Sequence, residues 1–265
     1  VEGMKQKVSD YIADRLAQEG ICQVFTVTGG GAMHLNDSLG HHPGLSCLYH
    51  HHEQAAAMAA EAYARVDNRM AAVCVTSGPG ATNAITGALC AWMDSIPMLV
   101  LSGQVRYDTT VRHSGLKIRT MGVQEYDITP SVEPMTKYAV MVTDPLTIRY
   151  HLERAIYLAK TGRPGPCWLD LPLNVQSAII ETEDLRAYDP KEDEKELPAP
   201  VTEETVKKIL EKLKQAVRPV IFAGHGIRLA GAYDSFERLV VLLGMPVVIG
   251  MSSIDLMKSD HPLYV

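Results

Sequence analysis

Thr76-Ser77-Gly78-Pro79-Gly80-Ala81-Thr82-Asn83 is the stretch on which the fold turns. It takes over from an apolar strand expected over 71–76 and opens a helix expected over 81–93. Two glycines and a proline remove side-chain bulk where the strand becomes a helix, so a flat ligand can lie against bare backbone. Upstream, His52-Glu53-Gln54 opens an alanine-rich run from Ala55 to Arg65. That places a carboxylate at a second strand-to-helix turn.

The same alternation extends in both directions. Residues 5–19 read as an amphipathic helix, with Val8, Ile12 and Leu16 at spacing four and Gly20 as its stop. A strand over 21–26 is followed by the tight crossing Thr28-Gly29-Gly30-Gly31 into a helix ending near Gly40. Further strands are expected over 46–49, 97–102, 137–142 and 166–171, with a helix over 146–160. The turn Gly162-Arg163-Pro164-Gly165-Pro166 precedes the last strand. Residues 103–133 carry weak periodicity and read as a long loop with a short helix, the kind of segment that serves function. Strands alternating with helices predict an α/β fold: a doubly wound parallel sheet covered on both faces.

Beyond residue 175 the character changes. Asp189-Pro190-Lys191-Glu192-Asp193-Glu194 and the residues to Pro200 are charged and proline-bearing, so 176–201 is expected to be an interdomain linker. A second unit over 202–265 supplies a helix (202–215), a strand (219–223), the turn Gly224-His225-Gly226, a helix (232–243) and a strand (246–249). Two strands are too few for a self-sufficient doubly wound domain, so this is expected to be a truncated Rossmann-like α/β unit. The domain boundaries are thus 1–175, 176–201 and 202–265.

Composition narrows the function classes. Of 265 residues, 46% are hydrophobic and 21% charged, enough for a core in a soluble protein, and the net charge of −6 with no basic stripe argues against a nucleic-acid partner. Apolar runs such as Ile96 to Leu101 are too short to cross a bilayer, so no membrane partner is expected. The five cysteines show no C-x-x-C spacing and fit a reducing cytoplasm, with Cys22, Cys74 and Cys167 acting as small hydrophobes. His50, His51 and His52 are adjacent, and consecutive residues on a strand point to opposite faces, so no metal site is assigned. Val1-Glu2-Gly3 ahead of Met4 reads as a remnant of cloning or of processing.

The Thr76–Asn83 string, continuing to Ala91-Trp92-Met93-Asp94-Ser95-Ile96-Pro97 and Gly103-Gln104-Val105, resembles the pyrimidine-binding domain of thiamine-diphosphate enzymes of the acetolactate synthase type. The likeness is strong over 5–175 and weaker over 202–250. It implies that Glu53 holds the cofactor's aminopyrimidine and so primes the thiazolium carbon for attack. It also implies that Gly78, Pro79, Gly80 and Asn83, with Thr76, form the ring's bed, and that Gly29 and Gly30 lie near the reacting carbon, although Thr28 replaces the family's proline. Trp92 and Met93 are expected to pack in the core. The loop's Phe-Gln-Glu element is matched here by Val123-Gln124-Glu125, so Gln124 carries over to the substrate side and the aromatic does not.

The resemblance further implies a 2-oxo acid such as pyruvate and a carbonyl acceptor as substrates. Thiamine diphosphate is expected to be shared across a subunit interface in a homodimer or tetramer. FAD is suggested for the intact enzyme, near Gly224 and Gly226. Mg²⁺ is expected from a C-terminal Gly-Asp-Gly to Asn segment that is missing here, so the chain is expected to be an inactive fragment of a longer polypeptide. The alternatives are a simple 2-oxo-acid decarboxylase, a sugar-modifying two-carbon transferase and, from another class, a non-catalytic α/β binding protein.

Overall fold

A computed structural model describes residues 5–196 and 198–265. Val1 to Gly3 lie outside the described residues. The chain divides into two compact units, with the division between residues 197 and 198.

The first unit is built on a six-stranded parallel sheet in the order β3-β2-β4-β5-β7-β6. Its strands are β2 (Gln23–Thr26), β3 (Ser46–Tyr49), β4 (Ala71–Val75), β5 (Met98–Gln104), β6 (Tyr138–Met141) and β7 (Pro166–Pro172). β4, β5 and β7 are buried along their whole lengths, which is what helices on both faces of a parallel sheet demand. From β2 the chain adds β3 on one side and β4 on the other. The strand order therefore reverses at the β2–β4 pair, the place where doubly wound sheets open a crevice at their carboxyl edge. The sequence-derived α/β class and parallel sheet are what the chain adopts.

The alanine-rich helix Glu53–Asp67 is small-sided for a reason. Ala56, Ala57, Ala60 and Ala64 are fully buried, and Ala84, Ala88 and Ala91 of the neighbouring segment are too. A Cβ on Gly87 of helix Ile85–Asp94 would stand 2.4 Å from the Cβ of Ala57, so the two helices cross at backbone distance. Arg65 ties them together, its guanidinium pairing with Glu61 on its own helix and with Asp94 at 2.5 Å on the other.

Four expectations need correction. Lys5–Lys7 is a strand, β1, and the helix starts at Val8; β1 pairs antiparallel with β8 (Ile179–Glu181). The polar Lys-Gln-Lys triplet carries no signal of its own and takes strand form only because β8 is available. For the same reason 176–196 is not a free linker. Ile180, Leu185 and Tyr188 are buried, and the nearly buried Asp193 accepts from Arg154 Nε at 2.8 Å, Arg154 Nη2 at 2.6 Å and Tyr188 Oη at 2.7 Å. Trp92 and Met93 are not core residues: they are 39% and 65% exposed, with Leu89 beside them. Cys22 is also exposed, whereas burial pushes the Cys74 and Cys167 thiols up to about 12 and keeps them protonated.

The second unit holds two parallel strands, β9 (Ile221–Ala223) and β10 (Val247–Ile249), in register Ile221 with Val247. Helices Glu203–Gln215 and Tyr233–Leu243 accompany them, and Ala223, Phe236, Val240, Val247 and Leu256 form its small core. Among the described residues no helix is long and apolar enough to cross a membrane.

Candidate active site

The segments singled out within the first unit converge at the carboxyl edge of its sheet. Glu53 is the first residue of its helix. His52 caps that helix by accepting from Gln54 N–H at 3.2 Å. Asn83 ends the short helix Pro79–Asn83, and its amide Nδ2 donates to Glu53 Oε2 at 2.9 Å. A Cβ on Gly80 would lie 3.3 Å from Glu53 Oε1. The carboxylate is half-buried, with one oxygen tied to Asn83 and the other beside the bare backbone of Gly80.

Thr76 locks the two glycine turns together. Its Oγ1 accepts from Gly31 N–H at 3.0 Å, and its side chain fills the space where Gly29 and Gly80 lack a Cβ, at 2.4 and 2.6 Å from the would-be carbons. So Thr76 is taken up by protein contacts, spacing the loops that follow β2 and β4. Gly103, near the end of β5, meets the Gly31 carbonyl oxygen at 2.1 Å from its missing Cβ. Gly30, by contrast, has nothing within 4 Å and faces open space.

Gly78 has φ +56° and ψ −119°, a conformation that only glycine adopts without strain. Where its side chain would stand, the Gln124 carbonyl oxygen lies 2.3 Å away, and Gln124 itself has φ +60°. The loop after β5 therefore returns across the Gly78-Pro79-Gly80 turn and delivers Gln124 to it, side chain exposed. Glu125 shapes that return: its carboxylate accepts from Val111 N–H at 2.7 Å and Met121 N–H at 2.8 Å. Val123, next to Gln124, is 85% exposed.

Sequence reasoning missed one charged group near this edge. Asp170 on β7 is 1% exposed, accepts from Ser102 Oγ at 2.6 Å and from Gln104 Nε2 at 3.1 Å, and Trp168 Nε1 donates to the same Ser102 at 2.8 Å. Its signal was available: Ser102, Gln104 and Asp170 interrupt otherwise apolar strands. Burial pushes the Asp170 carboxyl up to about 7 against the two hydrogen bonds that favour its anion, Asp127 pushes the same way and Arg112 opposes. A native pKa above the unfolded value means that stability falls as pH rises through about 7. Unfolding free energy should therefore be greater at about pH 5.5 than at about pH 8, by on the order of 2 kcal/mol from this group. Urea unfolding at both pH values should show that increment in the native chain and its loss in Asp170→Asn.

Gly224 and Gly226 belong to the second unit, at the turn after β9, and neither has an atom within 4 Å of where a Cβ would stand. Among the described residues no group of three or more His, Cys, Asp or Glu could hold a metal ion.

Comparison with known proteins gives the arrangement a context. Residues 6–125 match the model for the thiamine pyrophosphate enzyme N-terminal TPP-binding domain, and 206–265 match that for the thiamine pyrophosphate enzyme central domain. The chain is 34% identical over 256 residues to the acetolactate synthase large subunit of Lactococcus lactis, covering 96% of this chain and 43% of that protein. It is 32% identical over 260 residues to the isozyme 3 large subunit of Escherichia coli, with 96% and 43% covered. A probable acetolactate synthase large subunit of Methanocaldococcus jannaschii is 35% identical over 266 residues, with 97% and 42% covered. The chain spans less than half the length of these relatives.

Proposed function

The chain belongs to the thiamine pyrophosphate enzymes, and from that premise we propose that it forms the pyrimidine-binding side of a carboligase. The proposed reaction removes carbon dioxide from a 2-oxo acid such as pyruvate and joins the two-carbon unit to a carbonyl acceptor. The Glu53–Asn83 pair beside Gly80 is the observation that carries this reading. Bound thiamine diphosphate would supply the carbon nucleophile.

The residues divide the remaining work. Glu53 places its free oxygen against a ring nitrogen and exchanges a proton there. Asn83 was expected to touch the ring; with its amide on Glu53 Oε2, it serves better as the group that fixes the carboxylate's orientation. In this reading the backbone at Pro79 and Gly80 carries the ring, and Gly30, with nothing within 4 Å of where a Cβ would stand, leaves room towards the reacting carbon. Gln124 and the loop around it close the substrate side and exclude water. The open backbone of Gly224 and Gly226 would suit a FAD diphosphate. Mg²⁺ would be held by residues outside this chain. The exposed Leu89, Trp92 and Met93 suit burial against a second subunit in a homodimer or tetramer, with a cytoplasmic location.

Val123, standing where the synthases carry an aromatic residue, favours a second reading in which the acceptor differs, for example a ketosugar. Product analysis of the complete protein with pyruvate and thiamine diphosphate tests both. Acetolactate supports the first reading, and an acyloin formed only with an added carbonyl compound supports the second. Acetaldehyde alone points to a simple decarboxylase, and unconsumed pyruvate contradicts the proposal.

A further inference from the structure

The buried network around Asp170 reaches further than the sheet. Gln104 Nε2 donates both to Asp170 Oδ2 at 3.1 Å and to the backbone carbonyl of Tyr126 at 2.7 Å, while its Oε1 accepts from Val105 N–H at 3.0 Å. The amide's orientation is thus fixed at both ends. Tyr126 lies two residues beyond Gln124, whose carbonyl packs on Gly78, and directly follows Glu125, whose carboxylate gathers Val111, Met121 and Gly122.

We propose that Asp170 is a positioning residue which, through the Gln104 amide, holds the Tyr126 carbonyl and so keeps the 121–126 turn seated against Gly78. The consequence for catalysis rests on the reading that Gln124 faces substrate; the tether itself does not. A polar group buried at the centre of an apolar sheet is costly unless satisfied. Here its satisfaction is spent on an element that the sheet's own packing does not reach. Because burial brings the carboxyl's pKa to about 7, both protonation states occur near neutrality. Either form keeps an oxygen that accepts from Gln104, since the neutral acid can donate its proton to Ser102 Oγ instead. The same argument makes Asn the conservative replacement: its amide can donate to Ser102 while its oxygen accepts from Gln104.

Hydrogen exchange read by mass spectrometry on the full chain without cofactor tests this. Asp170→Leu fills the volume and removes the acceptor, and the amides of Val111, Met121 and Gly122 should then exchange about five-fold faster or more, the population change a lost hydrogen bond to a charged group allows. The core strands should stay protected. Gln104→Met, which cuts the other end, should give the same local increase if the Leu variant fails to fold. Asp170→Asn should exchange as the native chain does. Native exchange of the turn in folded Asp170→Leu or Gln104→Met, or an increase spread evenly over the sheet, would overturn the proposal. Because no cofactor is present, neither outcome depends on the thiamine assignment; that assignment can fail with the tether intact.

Discussion

Glu53→Gln is expected to lower thiamine-diphosphate-dependent consumption of pyruvate by about 10²–10⁴-fold, the range a positioned proton-transfer group contributes. The substitution keeps size, helix position and an oxygen that can accept from Asn83. What it removes is a carboxyl that can gain and lose a proton against the ring nitrogen. Folding should be nearly unaffected, since Glu53 is half-buried at a helix start and has one side-chain partner. Steady-state rates on the complete protein, with circular dichroism as the control for fold, check it. Unchanged turnover would remove Glu53 from the chemistry, and no turnover in either protein would leave the non-catalytic α/β binding protein as the surviving interpretation.

The second large effect is structural. Gly78→Ala should destabilise the first unit by about 1–3 kcal/mol for backbone strain and by about as much again for overpacking against Gln124. The neighbour that must yield is a backbone carbonyl 2.3 Å from the added carbon, not the end of a flexible side chain. Gln124 already sits at φ +60°, so it has little room to relax. Gly30→Ala is the contrast: nothing lies within 4 Å, and a change within about 1 kcal/mol is expected there, the usual cost of a tolerated glycine replacement. Denaturant midpoints of the two variants measured side by side decide this. Equal midpoints would mean that the Gly78 turn is not held by the returning loop.

Much of this architecture could be read from residues. The apolar runs gave β4, β5 and β7 within one or two positions, because strands buried on both faces have no alternation to misread. The paired turns at Gly29–Gly31 and Thr76–Asn83 were visible as glycine clusters between a strand and a helix. Their mutual contact through Thr76 was not, since a threonine's neighbours across 45 residues of sequence leave no local mark. The segment 176–196 looked like a linker because charge and proline usually mean solvent. Here the charges are consumed by particular partners, Asp193 by Arg154 and Glu192 by Arg186, which only the folded chain brings together. Trp92 and Met93 were assigned to the core on hydrophobicity alone, and their helix presents that side outward.

Catalysis as proposed depends on Glu53 touching the aminopyrimidine and thereby controlling the proton at the thiazolium carbon. The direct measurement is the rate at which that carbon's hydrogen exchanges for deuterium in thiamine diphosphate bound to the complete protein, followed by NMR after rapid acid quench. The native protein should exchange it far faster than free cofactor, and Glu53→Gln should fall back by about 10²-fold or more. Equal rates in the two proteins, with cofactor bound to both, would contradict the claim.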